Sequence, residues 1–415
     1  MRAFYTVLLY LLTPFVLLRL LWRGLALRDY WKRWDERFGF VRPPARPVAV
    51  WVHAVSVGES LAALPLIEAL VQQHGEGRVW VTTTTPTGSA RIQAALGARV
   101  CHSYAPYDLP GVVMNFLGRV QPQKVVVMET ELWPNLIAAL HARKIPLLIA
   151  NARLSPRSRR GYARLAGFTR GVLARVTQVA AQSEADAQSF RALGAPQVSA
   201  MGNLKFEIVP PPAQITAGET LRARLGAARP VWIAASTHEG EDEAMLAAHA
   251  QVVQTLPNAA LILVPRHPQR FDAVAALIGR TGLKSARRSS GKAGADTQVL
   301  LGDSMGEMFS YLAAADVAFV GGSLVPVGGH NVLEPAVLAK PVLFGPHMHN
   351  FLPARDLLLH AKAAEAIRDA DSLAAAVIRL LNDAALRQRM GIAGQTAVNA
   401  NRGALKRLLE RIEAL

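Results

Sequence analysis

From residue 47 onward, the sequence alternates short, continuous apolar runs with segments of helical periodicity. Typical runs are PVAVWVH at 47–53, KVVVMET at 124–130, PVWIAAS at 230–236 and ADVAFVG at 315–321. Strands that are apolar on both faces belong to parallel sheets covered by helices on both sides, whereas a half-solvated strand alternates apolar and polar residues. The pattern therefore predicts an α/β fold built from doubly wound parallel sheets.

The length of 415 residues allows two or three domains of roughly 150 residues each. Three prolines in EIVPPPAQIT interrupt the alternation between the fifth and sixth apolar runs. Such a proline cluster is typical of a linker. We therefore predict one domain over 47–206, a linker over 207–216, and a second domain over 217–415 that includes the C-terminal helices. The cleft between two such domains is the expected ligand site.

The N-terminus is apolar and is followed by basic and aromatic residues. Sixteen uncharged residues, AFYTVLLYLLTPFVLL, separate Arg2 from Arg19. We predict a membrane anchor over 1–22 and a basic-aromatic juxtamembrane segment over 23–46. The basic residues after the anchor place the rest of the chain in the cytoplasm by the positive-inside bias. The segment is close to the length of about 20 residues that a spanning helix needs, so spanning and interfacial helices both remain open.

The chain is strongly basic, with a net charge of +16. The stretch from Arg19 to Arg46 contains eight basic and three acidic residues, and the stretch from Arg153 to Arg175 contains seven arginines and no acidic residue. These clusters suit an anionic partner, such as a phosphorylated substrate, an acidic membrane surface or a nucleic acid. The chain has no nucleic-acid-binding motif, so nucleic acid is the least favoured of the three. Plain solvated surface is the alternative.

The single cysteine, Cys101, excludes an internal disulfide framework. No cluster of Cys and His residues has the spacing of a zinc site, and we predict no metal.

Glu59 lies where the apolar run WVHAVS changes into a helical pattern, beside Gly58. A carboxylate in a first helical turn stabilises the helix dipole, which is the commonest reason for such a residue. A carboxylate at the carboxyl edge of a parallel sheet is also well placed to act as a general base. The pattern leaves both interpretations open.

Two further segments combine strand ends with charged residues. METELWPN ends a run with Glu129 and Glu131, and because the chain turns there we expect one of the two to face the cleft. GNLKF brings Lys205 to the end of the first domain. Each of these residues taken alone is as compatible with a solvated surface as with a site.

The second domain contains a glycine-rich segment and a basic strand end. GGSLVPVGGHNVLEP at 321–335 follows an apolar run and precedes a helical one. Glycines followed by a helix N-terminus can hold an anion such as a phosphate, although Gly-Gly also serves turn geometry alone. Arg266 and His267, in VPRHPQR, form a candidate phosphate clamp.

Over essentially its whole length the chain resembles the Kdo (3-deoxy-D-manno-octulosonic acid) transferases of lipopolysaccharide inner-core synthesis. The shared motifs, in order, are HAVSVGE, TTTTPTG, METELWPN, NARLS, GNLKF, STHEGE, VPRHP, GDSMGE and GGSLVPVGGHNVLE. The resemblance implies the GT-B glycosyltransferase architecture, with two facing Rossmann-like domains and an N-terminal membrane-anchor helix. It implies inverting transfer of Kdo from CMP-Kdo to lipid IVA without a metal or a cofactor, at the cytoplasmic side of the inner membrane.

The resemblance also assigns roles to single residues. It makes Glu59 the catalytic base and gives Glu129 and Lys205 a part in stabilising the transition state. It places the acceptor on the first domain and CMP-Kdo on the second. The implied nucleotide contacts are Pro265, Arg266, Met305, Gly306, Glu307, Asn331, Val332, Leu333 and Glu334. The segment HNVLE departs from the family pattern, in which a small residue or Pro more often follows the Asn.

Two rival interpretations stay open at this stage. The first keeps the GT-B fold but acts on a UDP-sugar as a transferase or an epimerase. The second is a membrane-anchored binding or scaffold protein with a degenerate site, and the presence of Glu59, Arg266 and Glu334 argues against it.

Overall fold

The computed structural model describes the backbone of residues 1–415 and all side chains except those of Ala26, Val57 and Pro156. The chain folds into two compact units. The first comprises Met1–Glu207 together with Arg402–Leu415, and the second comprises Ile208–Asn401.

The first unit is built on a seven-stranded parallel sheet. Its strands are β1 Val50–His53, β2 Val79–Thr83, β3 Cys101–Tyr104, β4 Lys124–Met128, β5 Leu147–Ala152, β6 Gln178–Ala181 and β7 Val198–Ala200. Their order in the sheet is β3-β2-β1-β4-β5-β6-β7. Its helices are α1 Arg2–Ala26, α2 Trp34–Arg37, α3 Val57–His74, α4 Pro86–Leu96, α5 Pro110–Val120, α6 Pro134–Ala142, α7 Pro156–Arg164, α8 Ala166–Leu173 and α9 Glu184–Ala192.

Burial on both faces of this sheet explains its apolar strands. Trp51 packs into a core with Phe116 and Val125 on one face, whereas Val50 and Val52 join Leu66 on the other. The backbone pairing is parallel throughout, with Trp51 aligned with Trp80 of β2 and with Val125 of β4. Apart from the first residues of β4 and β6, the interior strands are therefore buried, as the apolar runs predicted.

The second unit repeats the same architecture. Its strands are β8 Val231–Thr237, β9 Ala260–Pro265, β10 Ser285–Arg287, β11 Val299–Leu301, β12 Val317–Val320, β13 Val342–Phe344 and β14 Ala364–Ala366, in the order β10-β11-β9-β8-β12-β13-β14. Its helices are α10 Pro212–Leu225, α11 Asp242–Thr255, α12 Phe271–Gly279, α13 Met308–Ala314, α14 Leu333–Val337, α15 Leu352–His360, α16 Ala370–Asn382 and α17 Ala384–Ala400. The prediction of two doubly wound parallel sheets is confirmed.

The last helix, α18 (Ala404–Glu413), belongs to the first unit, although we predicted it in the second domain. Leu408 and Ile412 are buried in the same core as Leu66. The Nζ of Lys124 donates to the carbonyl of Ile412 at 2.7 Å, and Arg407 donates to the carbonyl of Met201. The predicted linker also differs, because α10 begins at Pro212, the last of the three prolines, and so starts inside the predicted linker.

In each sheet the chain reverses its direction of winding at the centre. It runs outward from β1 to β2 and β3, and then returns to β4 on the other side of β1. In the second unit it runs outward from β8 through β9 and returns to β12. The loops on either side of such a reversal diverge and leave a crevice at the carboxyl edge of the sheet, where open α/β folds bind their ligands.

Candidate functional site

Glu59 lies at the reversal point of the first sheet, in the first turn of α3, directly after β1. Two hydrogen bonds join Glu59 to the residues just before it: the Glu59 N–H donates to Ser56 Oγ at 3.2 Å, and Glu59 Oε2 accepts the Val55 N–H at 2.8 Å. The first bond caps the helix, and the second fixes the carboxylate. With 8% of its surface exposed, Glu59 is held in place with little contact to water.

Glu129 lies across the same reversal point, immediately after β4. Its backbone is left-handed, with φ of +57°, which costs an L-residue about 1–2 kcal/mol and turns the chain sharply out of the sheet. Burial raises the pKa of the Glu129 carboxyl, and the charge of Glu59 raises it further. The cations Lys205 and Arg153 oppose this effect and lower the same pKa. The structure therefore brings Glu59, Glu129 and Lys205 into one electrostatic cluster.

The other carboxylate of this loop, Glu131, has a separate partner. Its Oε2 accepts a hydrogen bond from the Trp133 indole at 2.9 Å. The pKa of Glu131 is raised mainly by burial, and the charges of Glu59 and Glu129 add to the effect. Of the two carboxylates that we predicted at this strand end, Glu131 is thus the one bound by the protein's own loop.

Lys205 occupies a 3₁₀ turn, Leu204–Phe206, that two asparagines hold. The Lys205 N–H donates to Asn203 Oδ1 at 2.9 Å, and the Leu204 N–H donates to Asn151 Oδ1 at 3.1 Å. Asn151, the penultimate residue of β5, has a left-handed conformation, with φ of +53°. The motif NARLS thus supports Lys205 from the neighbouring strand, a role that sequence reasoning missed.

His53, which precedes Glu59 on β1, belongs to the core. It is 1% exposed, its Nδ1 lies 2.8 Å from Thr82 Oγ1, and its ring packs edge-on against Trp133. Burial lowers the pKa of His53 to about 4. The imidazole is therefore neutral at pH 7 and adds no charge to the cluster.

In the second unit, Arg266 follows β9, next to Pro265, and its N–H donates to the carbonyl of Thr237 at 3.0 Å. Burial raises the pKa of Glu334, while Asn331 and the charge of Arg266 lower it. Asn331 Nδ2 donates to Glu334 Oε1 at 3.2 Å. Arg266, Asn331 and Glu334 therefore form a second group, beside the reversal point of this sheet.

The first two glycines after β12, Gly321 and Gly322, serve the protein's own packing, which is one of the two interpretations that the sequence left open. The buried carboxylate of Glu241 accepts the N–H groups of Gly322, Ser323 and Leu324 at 2.6, 3.0 and 2.9 Å, and that of His238 at 2.9 Å. A Cβ at Gly321 would lie 2.6 Å from the carbonyl oxygen of Ser236. An internal anion thus occupies the backbone N–H groups of residues 322–324, which could otherwise hold a phosphate.

At the helix N-terminus that follows the glycines, one backbone N–H is already occupied by the protein itself. The helix α14 starts at Leu333 and is five residues long. The Leu333 N–H already donates to Asn331 Oδ1 at 3.2 Å. Any role of residues 331–334 in binding therefore depends on their side chains more than on a helix dipole.

The segment Met305–Glu307 follows β11, next to β9 in the sheet. Gly306 has a φ of +83° and Met305 is 47% exposed. Glu307 accepts hydrogen bonds from Ser304 Oγ and from Arg288, the latter at 2.9 Å. Although burial raises the pKa of Glu307, these two donors outweigh it and lower the pKa.

Sequence reasoning missed a histidine pair at the reversal point of the second sheet. The Nε2 atoms of His238 and His330 lie 2.7 Å apart and their rings stack at 5.0 Å, so one ring donates to the other. Burial is the main cause that lowers the pKa of His330 to about 4, and the positive charge of Arg266 is the second cause. The signal was present in STHEGE and GGHN, but the two motifs are far apart in sequence.

Comparison with solved structures defines the class of protein. A glycosyltransferase from Rickettsia africae aligns with 89% of this chain and 98% of its own length, with a TM-score of 0.57 and 12% identity. At this identity the likeness concerns the fold alone. Together with the two parallel sheets, it defines a GT-B glycosyltransferase architecture.

Comparison of sequences identifies the family. The profile described as 3-deoxy-D-manno-octulosonic-acid transferase (kdotransferase) matches residues 32–208. The 3-deoxy-D-manno-octulosonic acid transferase of Haemophilus influenzae is 41% identical over 99% of this chain and 98% of its own length. That of Bordetella pertussis is 40% identical over 99% of both chains. The chain therefore belongs to the Kdo transferase family and is a glycosyltransferase of lipopolysaccharide core synthesis.

Proposed function

We propose that the chain moves Kdo from CMP-Kdo to lipid IVA with inversion, and that Glu59 is the general base. The observation that carries the proposal is the cluster at the reversal point of the first sheet. A fixed carboxylate, Glu59, shares its surroundings with a second carboxylate, Glu129, and with the cation Lys205. A general base must be held within hydrogen-bond reach of the proton that it removes, and the two hydrogen bonds of Glu59 supply that rigidity.

In this proposal Glu59 acts through its free carboxylate oxygen. Oε2 is occupied by the Val55 N–H, whereas no hydrogen bond reaches Oε1 from the residues that the structure describes. Oε1 would accept the proton of the attacking sugar hydroxyl. General-base catalysis of this kind is worth about 10²- to 10⁴-fold in rate.

Glu129 and Lys205 would stabilise the positive charge that develops on the sugar in the transition state. The anomeric carbon of Kdo becomes cationic as the bond to CMP breaks, and an ionised carboxylate nearby stabilises that cation. Because Lys205 lowers the pKa of Glu129, it favours the ionised form that this role needs. The two residues therefore work as a pair.

The donor would be bound by the second unit. Arg266 would neutralise the phosphate of CMP, Glu334 would accept hydrogen bonds from ribose hydroxyls, and Pro265 and residues 305–307 and 331–333 would complete the nucleotide site. The electrostatic link between Arg266 and Glu334 supports this grouping. CMP is a good leaving group once its charge is neutralised, so we propose transfer without a metal or a cofactor.

The acceptor would be bound by the first unit, where the seven arginines between Arg153 and Arg175 suit the phosphates of lipid IVA. We further propose that the enzyme works at the cytoplasmic side of the inner membrane, because the basic residues that follow the apolar N-terminus suit an anionic cytoplasmic leaflet.

Mass spectrometry of the product tests this function. The full chain in detergent is incubated with CMP-Kdo and lipid IVA, in the presence of a metal chelator. We expect a product heavier than lipid IVA by one or more Kdo residues, together with released CMP. A melting temperature that rises with UDP but stays constant with CMP, combined with unmodified lipid IVA, would contradict the proposal.

A further inference from the structure

One helix, α1, is long and apolar enough to cross a membrane by length and composition, with a mean hydropathy of 1.9 over Arg2–Leu25. At 1.5 Å per residue these 24 residues extend about 36 Å, enough for a hydrocarbon core of about 30 Å. A spanning helix must have its two ends on opposite sides of that core. The contacts of both ends therefore decide how α1 can be placed.

The N-terminal end of α1 is bonded to the first unit. Tyr5 Oη donates to Asp108 Oδ2 at 3.0 Å, and Thr6 Oγ1 donates to Asn135 Oδ1 at 3.0 Å. The Tyr5 ring also packs 6.1 Å from the ring of Phe168 on α8. Asp108 in turn accepts the Asn135 N–H, so this end of the helix is attached to the start of α6.

The C-terminal end of α1 returns to the same unit. The Trp31 indole donates to the carbonyl of Leu21 at 3.0 Å and covers Gly24, so the chain folds back on the helix. Arg33 then donates to Ser89 Oγ at 3.0 Å.

The following residues strengthen that attachment. Glu36 accepts the Tyr104 N–H at 2.7 Å, and Arg37 donates to the carbonyl of Thr84 at 3.0 Å. The Tyr107 N–H donates to the carbonyl of Arg37 at 2.9 Å, one residue before the Asp108 that binds Tyr5. The N-terminal end of α1 and the segment 33–37, which follows its C-terminal end, are thus attached to neighbouring residues of one folded unit.

Coverage along the helix shows that it has a protein face and a free face. The partly covered or buried positions recur every three or four residues: Tyr5, Thr6, Leu9, Thr13, Leu17, Leu20 and Gly24. The free face is apolar and exposed, with Phe4 at 75%, Phe15 at 67% and Trp22 at 71%. With one side covered by the protein and the other side apolar and exposed, α1 can lie in a membrane interface with its exposed side in the lipid.

From these contacts we infer that α1 does not cross the membrane but lies in the plane of one leaflet, with its free apolar face in the acyl region and both ends on the side of the first unit. This inference goes beyond the proposed function and does not depend on it. The leaflet that fits is an anionic one, because α7, next to the Phe168 contact, exposes Arg157, Arg159 and Arg164.

The arrangement also sets where the candidate site lies relative to the leaflet. Asn135, which binds Thr6, follows the loop that begins at Glu129. A helix lying in the leaflet would therefore keep the carboxyl edge of the first sheet at headgroup depth.

Cysteine labelling of the full chain in vesicles tests the inference. In a Cys101→Ser background, single cysteines replace Ala3 before the docked end, Leu27 after the other end, or exposed Gln72 on α3 as the control for the side of the first unit. Everted vesicles of the producing cells are treated with a membrane-impermeant maleimide before and after detergent. A second pair, Phe4→Cys and Leu25→Cys, repeats the comparison at positions that are 75% and 73% exposed.

We expect the two ends to react to the same extent, on the side where Gln72→Cys reacts. Equal shielding of both ends, relieved by detergent, also supports the inference, because it places them at one depth. If the N-terminal cysteine reacts only after detergent while the cysteine at position 27 reacts freely beforehand, α1 spans the membrane and the inference is overturned. Melting curves with the same midpoint as the Cys101→Ser parent show that each variant is folded.

Discussion

At the scale of single residues, Glu59 combines a structural and a proposed chemical role, and an isosteric substitution separates them. The Glu59→Gln variant keeps an oxygen that can accept the Val55 N–H, so we expect the fold and CMP binding to persist. Loss of the base should lower the rate of Kdo transfer by at least about 10²-fold. The measurement is the initial rate of lipid IVA modification.

Glu68, exposed on the same helix α3, supplies the matched control for this prediction. The Glu68→Gln variant should transfer Kdo at the parent rate. A Glu59→Gln enzyme that is as fast as Glu68→Gln would remove Glu59 from the role of base.

Arg266 is predicted to bind the donor through a charge-assisted contact to phosphate. Such a contact is worth about 1.5–3 kcal/mol, so Arg266→Ala should weaken CMP binding by roughly 10- to 150-fold. Titration calorimetry with CMP measures this, and Arg280→Ala, at an exposed position of the same unit, is the control. Equal affinities in the two variants would place Arg266 outside the nucleotide site.

Buried histidines should make stability depend on pH. Trp232 donates its indole N–H to His249 Nδ1 at 3.1 Å, and His249 Nε2 lies 3.0 Å from the carbonyl of Gln298. Burial lowers the pKa of His249 from its ordinary value of 6.5 to about 4. Between pH 6.5 and pH 4, His249 is therefore protonated in the unfolded chain but neutral in the folded protein. The stabilisation from neutral His249 is complete above pH 6.5 and is lost as the pH falls to 4.

Over that window we expect up to about 3 kcal/mol less stability from this residue, because a tenfold change in proton affinity corresponds to about 1.4 kcal/mol. Denaturant unfolding at a series of pH values measures it. The His249→Gln variant should show a shallower pH dependence than the parent, whatever its stability at pH 7. An unchanged slope would show that His249 is protonated in the folded state.

At the scale of elements, the buried carboxylate of Glu241 ties α11 to the loop after β12. Its two oxygens accept four backbone N–H groups. The amide of a glutamine would keep one of these oxygens and replace the other with an NH₂ group, which would then point at backbone N–H groups that are themselves donors. Each unsatisfied buried group costs about 1–3 kcal/mol, so Glu241→Gln should lower the melting temperature strongly. Glu243→Gln, exposed in the same helix, should leave the melting temperature unchanged. Equal melting temperatures would contradict the role of Glu241 as the internal anion.

The predicted and observed strands and helices differ mainly at the edges of the sheets and at the C-terminus. Interior strands such as β4 and β12 are buried on both faces, and their continuous apolar runs predicted them. Edge strands carry less information: β3 reads CHSY and β10 reads SAR, because one side of an edge strand lacks a neighbour. The assignment of α18 to the wrong domain has a related cause, since an amphipathic helix does not reveal which core covers it.

For the site, sequence patterns located strand ends but not the partners of the side chains. The patterns placed Glu59, Glu129 and Lys205 after strands of one domain, but only the family resemblance grouped them into one site. The filling of the glycine loop by Glu241 could not be anticipated, because an acid in STHEGE has the pattern of an ordinary first-turn residue. Long-range pairs such as His238 with His330 depend on the sheet order and on the packing of loops.

At the scale of the whole molecule, the N-terminal helix and the basic surface should contribute separately to membrane binding. Removing residues 1–22 deletes the apolar segment and also the contacts of Tyr5 and Thr6, but leaves Asp108 bonded to the start of α6. The truncated chain should still modify detergent-dispersed lipid IVA. Its binding to anionic vesicles should depend on charge, at about 1 kcal/mol per basic residue near the surface.

Co-sedimentation with vesicles at low and at high salt checks this prediction. Because charges are screened over about 3 Å at 1 M salt, the truncated chain should detach while the full chain stays bound. Vesicles without anionic lipid are the control, and they should retain the full chain only. Aggregation of the truncated chain, or loss of its activity on dispersed substrate, would show that α1 is packed into the enzyme or forms part of its acceptor site.

The carboxylate of Glu241 has a consequence for the kinetics of the enzyme. Because the backbone N–H groups of residues 322–324 already donate to Glu241, this loop does not need a nucleotide to order it. Binding of CMP should therefore not be coupled to ordering of the loop. In a stopped-flow experiment, CMP binding should follow a single exponential whose rate rises linearly with concentration. A rate that saturated at high CMP concentration would indicate a conformational step, and the segment after β12 would then be a moving part of the catalytic cycle.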